Sequence, residues 1–195
     1  PVDVTVLVDT SYSVVPNLDK FRADVQKFPA LLRPIDRVRL ITFAYGPTEI
    51  LPMQPRPKII AGDQIKPAGG TSLNDALLFA LVPEPQAGRR LLVILLTDGA
   101  DSTSAIDAVD VPGIAMRSGA ILHVVFRKGP ETAGKPAPAS EQAIQQATAQ
   151  TGGRVWDLST TGDIVSVLTQ VFEHFKQNYV LSFVPKGGSR DGWHE

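Results

Sequence analysis

The sequence contains no cysteine. That excludes a disulfide framework, a thiolate metal centre and a cysteine nucleophile. It has no apolar run near the ~20 residues of a membrane-spanning helix. Strongly apolar stretches such as Leu91 to Leu96 are far shorter, so this segment encodes no membrane span. It also lacks charge of one sign, with 19 basic and 20 acidic residues and a net charge of −1. Binding to nucleic acid by overall charge is therefore not expected. Histidine is scarce: His123, His174 and His194 are the three present. No two of them have the spacing of a His-Glu-x-x-His zinc motif. Sixteen glycines and sixteen prolines are above average but too few to imply disorder.

What is present suits a single globular domain. A chain of 195 residues with 43% apolar and 20% charged residues has length enough for one core. Apolar strand patterns alternate with helical ones. Val2 to Asp9, Arg37 to Phe43, Thr48 to Leu51, Arg90 to Thr97, Ala120 to Phe126, Arg154 to Leu158 and Tyr179 to Val184 read as strands. Between them, helical periodicity covers Asn17 to Leu32, with Leu18, Phe21, Val25, Phe28 and Leu32 on one stripe. It covers Ser72 to Leu81, Ser104 to Ser118 with a bend at Pro112-Gly113, Ser140 to Thr151 with Ser140 as cap, and Asp163 to Gln177. This alternation predicts an α/β, three-layer, doubly wound and mostly parallel sheet with helices on both faces. The short turn at Gly46-Pro47 predicts one antiparallel edge strand. Residues 1–185 form the domain in this reading, and 186–195 a polar tail. An opening at Pro1, directly before a strand, reads as an excised or processed segment.

Ligands of doubly wound sheets bind beyond the carboxyl ends of the strands. Three loops are predicted at that edge: Asp9-Thr10-Ser11-Tyr12-Ser13, Gly69-Gly70-Thr71-Ser72 and Thr97-Asp98-Gly99. Within them Asp9, Ser11, Ser13, Thr71 and Asp98 offer two carboxylates and three hydroxyls, with no imidazole or thiolate. That donor set suits a hard cation such as Mg²⁺, not structural zinc. Alternation along an extended segment would point Asp9, Ser11 and Ser13 the same way. Gly69-Gly70 would allow the close approach that presents the Thr71 hydroxyl. Two carboxylates neutralise a dication only formally, which leaves it an acceptor for a third carboxylate from outside.

Asp9-x-Ser11-x-Ser13, then Thr71, then Asp98 resembles the metal-ion-dependent adhesion site of the von Willebrand factor type A family. The contexts Gly69-Gly70-Thr71-Ser72-Leu73-x-Asp75-Ala76-Leu77 and Leu96-Thr97-Asp98-Gly99 are similar to that family too. The resemblance covers Val2 to Val184. Tyr12 stands at a variable position where many members have Gly. The ending Tyr179 to Pro185, followed by Asp191-Gly192, is similar to a bacterial subgroup of exported A-domain-related proteins. In that subgroup the chain continues into further strands, which would make Glu195 a truncation point.

The resemblance implies a six-stranded sheet and a divalent cation, Mg²⁺ with Mn²⁺ or Ca²⁺ as alternatives, at Asp9, Ser11, Ser13, Thr71 and Asp98. It implies adhesion-type binding of a protein that supplies an Asp or Glu, no catalysis, and an exported location. Tyr12, Tyr45 and Ser102 would form the partner-binding rim. In some family members the final helix moves to tune affinity, and Asp163 to Gln177 would be that helix here.

Other readings compete. Ser11 and Ser13 are ordinary turn formers, Asp98-Gly99 is an ordinary turn, and Thr71 or Ser72 with Asp75 could simply cap a helix. On that view the fold is a metal-free structural scaffold. A Mg²⁺-dependent hydrolase or phosphatase is a third reading. It lacks an evident general base, and Ser11 stands where an aspartyl-nucleophile phosphatase has its second acid. A P-loop lysine, a Gly-x-Gly-x-x-Gly turn and a Gly-x-Ser-x-Gly elbow are all absent. His123, inside a strand, and Trp156 read as core residues. Lys66, Arg89 and Arg90 read as solvated charges.

Overall fold

The computed structural model describes residues 1–58, 60, 62–82, 86–128, 136–158 and 163–178. The expected strand Tyr179 to Val184 and the polar tail lie outside the described residues. The strands are β1 (Val2–Asp9), β2 (Arg37–Phe43), β3 (Pro47–Pro55), β4 (Arg90–Thr97), β5 (Ile121–Phe126) and β6 (Val155–Asp157). They form one six-stranded sheet in the order β3-β2-β1-β4-β5-β6. Every neighbouring pair is parallel except β2 with β3. The chain starts in the middle, winds to one edge, and returns to build the other. The order reverses between β1 and β4, so a crevice opens at the carboxyl ends of those two strands.

Side-chain parity along β1 divides the core. Val4, Val6 and Val8 face the layer of α1 (Leu18–Val25), α2 (Phe28–Leu31) and α6 (Ile164–Gln177). Leu7 faces α3 (Leu73–Leu81), α4 (Val111–Arg117) and α5 (Ala139–Gln150). All eight residues of β1 are buried, as expected for a central strand covered on both sides. Asp9 has the parity of Leu7 and closes the strand on the α3 side.

Several sequence expectations need correction. The stripe Leu18, Phe21, Val25, Phe28 and Leu32 is buried as a unit, yet the helix carrying it is broken. α1 ends at Val25, and Pro29 in the first turn of α2 forces a fresh start. Pro112 likewise opens α4 at its first turn and does not bend a longer helix. β3 extends from Pro47 to Pro55 with Pro52 inside it, which an edge strand tolerates because one side of its backbone is unpaired. Ser140 does not cap α5: its hydroxyl donates to the Gly99 carbonyl at 2.9 Å and fastens the helix to the turn after β4.

Arg89 and Arg90 are not solvated charges. Arg89 pairs with the buried Asp3, which also receives Arg37. Arg90 lies 4.0 Å over the Phe175 ring and donates to the Phe175 carbonyl in the last turn of α6. His123 is buried, as read from the sequence, and its Nδ1 accepts from the Arg154 backbone at 3.2 Å. Trp156 is partly buried and packs against the α6-side core.

Candidate metal site

The first loop is not the extended run the sequence suggested. Ser11 is still extended (φ −60°, ψ 165°), but Tyr12–Asn17 is a 3₁₀ helix. The Val14 N–H closes its first turn on the Ser11 carbonyl at 3.2 Å. Ser11 and Ser13 therefore meet by a tight turn and not by strand alternation. Their hydroxyl oxygens are 3.0 Å apart. The Asp9 Oδ1 accepts from the Ser11 hydroxyl at 2.7 Å and from the Ser11 N–H at 2.9 Å. Three of the five candidate residues thus form one connected oxygen cluster.

The second oxygen of Asp9 is held from the neighbouring strand. Val8 pairs with Leu96 in the β1–β4 register, so Thr97 arrives beside Asp9. Its hydroxyl donates to Asp9 Oδ2 at 2.7 Å and accepts from the Gly99 N–H at 3.1 Å. Asp98 is half-buried, and its Oδ1 accepts from the Ala100 N–H at 3.1 Å. Burial pushes the Asp9 carboxyl up to about 6. The Ser11 and Thr97 hydrogen bonds oppose that rise, and the nearby Asp98 charge adds to it.

The Gly69–Ser72 loop is tied to the first by backbone. The Ala68 N–H donates to the Thr10 carbonyl at 2.9 Å, and the Tyr12 N–H to the Gly69 carbonyl at 3.1 Å. Thr71, buried, follows directly. Its N–H donates to the Ser102 hydroxyl at 2.9 Å, and its carbonyl accepts from the Ser102 and Thr103 N–H groups at 2.8 and 3.0 Å. Gly69 has φ +34°, and a Cβ there would fall 1.8 Å from the Tyr45 ring. The glycine pair thus also makes room for that ring against the loop.

The sequence reading assigns no role to two residues that build this edge. One is Thr97, legible only once β1 and β4 are placed side by side. The other is Asp101. Its Oδ2 accepts from the Leu73 and Asn74 N–H groups at 2.8 and 3.2 Å. Ser72 is the N-cap of α3 but contributes no side-chain cap; its hydroxyl donates to the Ala44 carbonyl. Asp75 lies in the first turn of α3. It returns the exchange by accepting from the Ala105 and Ile106 N–H groups at 3.0 and 2.9 Å. A carboxylate from each side thus locks α3 to the loop after β4.

The donor chemistry fits a hard cation. About 3.0 Å separates adjacent ligands on an octahedron with Mg–O bonds near 2.1 Å, and the Ser11 and Ser13 hydroxyl oxygens are 3.0 Å apart. Among the described residues no three His, Cys, Asp or Glu side chains converge as a metal group, so a cation here would depend on hydroxyl donors. Of the residues expected at the rim, Tyr12 and Tyr45 are 66% and 72% exposed. Ser102 is exposed too, and its hydroxyl accepts from the Thr71 N–H.

No protein-family model matches the sequence, and no curated protein matches it. Solved structures do. An aerotolerance-related membrane protein from Bacteroides fragilis, carrying multiple mutations to serine, superposes with a TM-score of 0.66 at 20% identity, over 91% of this chain and 100% of that one. The conserved hypothetical protein BatB from Bacteroides thetaiotaomicron gives 0.66 at 19% identity, over 91% and 100%. A von Willebrand factor type A protein from Catenulispora acidiphila gives 0.63 at 14% identity, over 86% of this chain and 41% of that one. The chain has the Rossmann-like α/β fold of von Willebrand factor type A domains. Among the described residues no helix is long and apolar enough to cross a membrane.

Proposed function

We propose that this chain is a divalent-metal-dependent protein-binding module, not an enzyme. Asp9, Ser11, Ser13 and Thr71 would hold the ion, with Asp98 acting directly or through water. Mg²⁺ is the expected ion, and Mn²⁺ or Ca²⁺ are alternatives. The ion would supply Lewis acidity toward an oxygen anion, and a partner's Asp or Glu is the matching ligand. The single observation that carries the reading is the 3.0 Å pair of Ser11 and Ser13 hydroxyls on the buried Asp9.

The residues divide the work. Asp9, buried, supplies the negative charge that anchors a cation. Thr97 fixes its rotamer from the neighbouring strand. Ser13 is exposed and Asp98 half-buried, so the cluster opens toward solvent where a partner would approach. The N-terminus of α3 lies at the same edge, with its first N–H groups already held by the Asp101 carboxylate. Tyr12 and Tyr45 offer exposed aromatic surface of the kind that anchors protein interfaces. The vWA-type neighbours support an interaction role, and the aerotolerance-related membrane protein among them favours an exported or membrane-associated setting.

Titration calorimetry with Mn²⁺ tests the metal. Measurable binding in the native chain and none in Asp9→Ala, with an unchanged circular dichroism spectrum, is expected. Equal affinity in both would remove Asp9 from the site. A pull-down with and without chelator then tests whether partner capture needs the metal.

A further inference from the structure

We propose that a cleft beside the metal loops, between the β2–β3 hairpin and the 64–68 segment, is a second recognition subsite. It takes a bulky apolar side chain from an acidic partner segment whose carboxylate is directed at the Asp9 edge. This rests on the metal-dependent reading above and specifies the partner for that same site.

The cleft has a volume of about 380 Å³, within the ~300–1,000 Å³ range of recognition clefts. Ile50, which packs on the α1 side of the sheet, gives it an apolar floor beside Thr42, Tyr45 forms one wall, and Lys66 and Ala68 line the other side. Thr10 joins that floor to the metal loops. Its N–H and hydroxyl both donate to the Phe43 carbonyl, at 2.8 and 2.9 Å, and its carbonyl accepts from the Ala68 N–H. Asp9 is the preceding residue and Ser11 the next. The cleft and the oxygen cluster are therefore two stations on one continuous loop surface. Tyr45 is the partition between them. Its ring packs against Gly69 on the metal-loop side and faces the cleft on the other.

Charge and polarity select the occupant. Among the described lining residues Lys66 is the one cation, and there is no carboxylate. With a dication at Asp9, one end of the surface would accept a carboxylate and the other carries Lys66, which together favour an acidic segment. The apolar floor sets a different demand at depth. A carboxylate driven into it would lose hydration without a paired donor, whereas an aliphatic or aromatic side chain would gain from burial. Lys66 and Ala68 are exposed, so the cleft is open to a docking chain and is not an internal void. One extended segment can thus place an acid at the metal and a nearby bulky apolar residue over Ile50 and against Tyr45.

Selection from a random peptide library on the immobilised 195-residue chain, in Mn²⁺ and with elution by chelator, tests this. The expected sequences share an Asp or Glu with a bulky apolar residue within a few positions. Ala68→Trp, which fills the cleft, and Lys66→Glu, which reverses its charge, should each weaken those peptides by about tenfold or more. Mn²⁺ affinity and the circular dichroism spectrum should change little, because both side chains are exposed and the Ala68 backbone bond to Thr10 is kept. Peptides that bind native and variant chains equally, or metal-dependent peptides with no apolar position in common, would overturn the subsite and leave the metal reading intact. So would a library that yields no chelator-sensitive sequence although Mn²⁺ binds. A native chain that fails to bind Mn²⁺ would remove both.

Discussion

The Thr97 hydroxyl stands between Asp9 and the turn after β4: it donates to the Asp9 carboxylate at 2.7 Å and accepts from the Gly99 N–H at 3.1 Å. It supports the charged form of an aspartate that burial pushes toward neutrality. Thr97→Val keeps the shape and removes both bonds. The unsatisfied buried partners should cost about 1–3 kcal/mol of stability. The Asp9 carboxyl should titrate still higher, and Mn²⁺ affinity at pH 7 should fall by about tenfold. Thr97→Ser should restore most of both. Calorimetry and urea unfolding read the two effects, and a Val variant that binds Mn²⁺ like the native chain would contradict this role.

Asp101 should matter to a site it does not belong to. Its carboxylate caps two N–H groups at the start of α3, and Ser102 beside it holds the Thr71 backbone. Asp101→Ala should cost about 0.5–2 kcal/mol, the usual range for a lost helix cap. By loosening the Thr71 loop it should also weaken Mn²⁺ binding several-fold. Asp101→Asn keeps an acceptor and should cost less on both counts. Asp75 answers from the opposite side of the lock, so Asp75→Ala combined with Asp101→Ala should destabilise by less than the sum of the two. Strict additivity in urea unfolding would show the two carboxylates to be independent.

The order and placement of elements were largely legible because apolar strands announce themselves. β1, β2 and β4 have the bounds their sequences suggest, and the antiparallel β3 follows from a Gly-Pro turn too short for a crossover. The carboxyl-end loops could be nominated because parallel topology puts them on one edge. What the sequence could not reveal was how side chains from different loops divide the work. The Ser11–Ser13 contact depends on a 3₁₀ turn where alternation suggested an extended run. The cap of α3 comes from Asp101, 28 residues beyond the helix start it serves, while local rules pointed to Ser72. Arg89 and Arg90 looked like surface charges because their partners, Asp3 and the end of α6, are distant in sequence.

Two buried groups pull the pH dependence of the metal-free chain in opposite directions. Burial raises the Asp9 carboxyl from 3.8 to about 6. The folded chain then holds a proton that the unfolded chain releases between those values, so acidification from pH 7 favours folding through Asp9. Burial, with the nearby His174 and Arg154, lowers His123 from 6.5 to about 4. In that window the unfolded chain takes up a proton that the folded chain refuses, so acidification disfavours folding through His123. The two contributions offset each other in the native chain. In chelator, Asp9→Asn should therefore lose more stability than native protein between pH 6.5 and 4.5. Urea midpoints across that range measure it, and parallel profiles would mean Asp9 does not titrate there.

Gly69 is the position at which backbone and side-chain demands coincide. Its φ of +34° lies in the left-handed region, and a Cβ would fall 1.8 Å from the Tyr45 ring. The backbone conformation alone costs an alanine roughly 1–2 kcal/mol, and the collision adds to that unless the ring swings away. Gly69→Ala should therefore destabilise the chain by more than the backbone cost and displace Tyr45, whose altered environment near-ultraviolet circular dichroism can follow. Tyr45→Ala relieves the collision but leaves the backbone strained. A double-mutant cycle should return a coupling on the order of 1 kcal/mol, with the pair less destabilised than the sum. A coupling of zero would mean that the exposed ring leaves Gly69 without cost, and that the wall between the metal loops and the neighbouring cleft is not fixed.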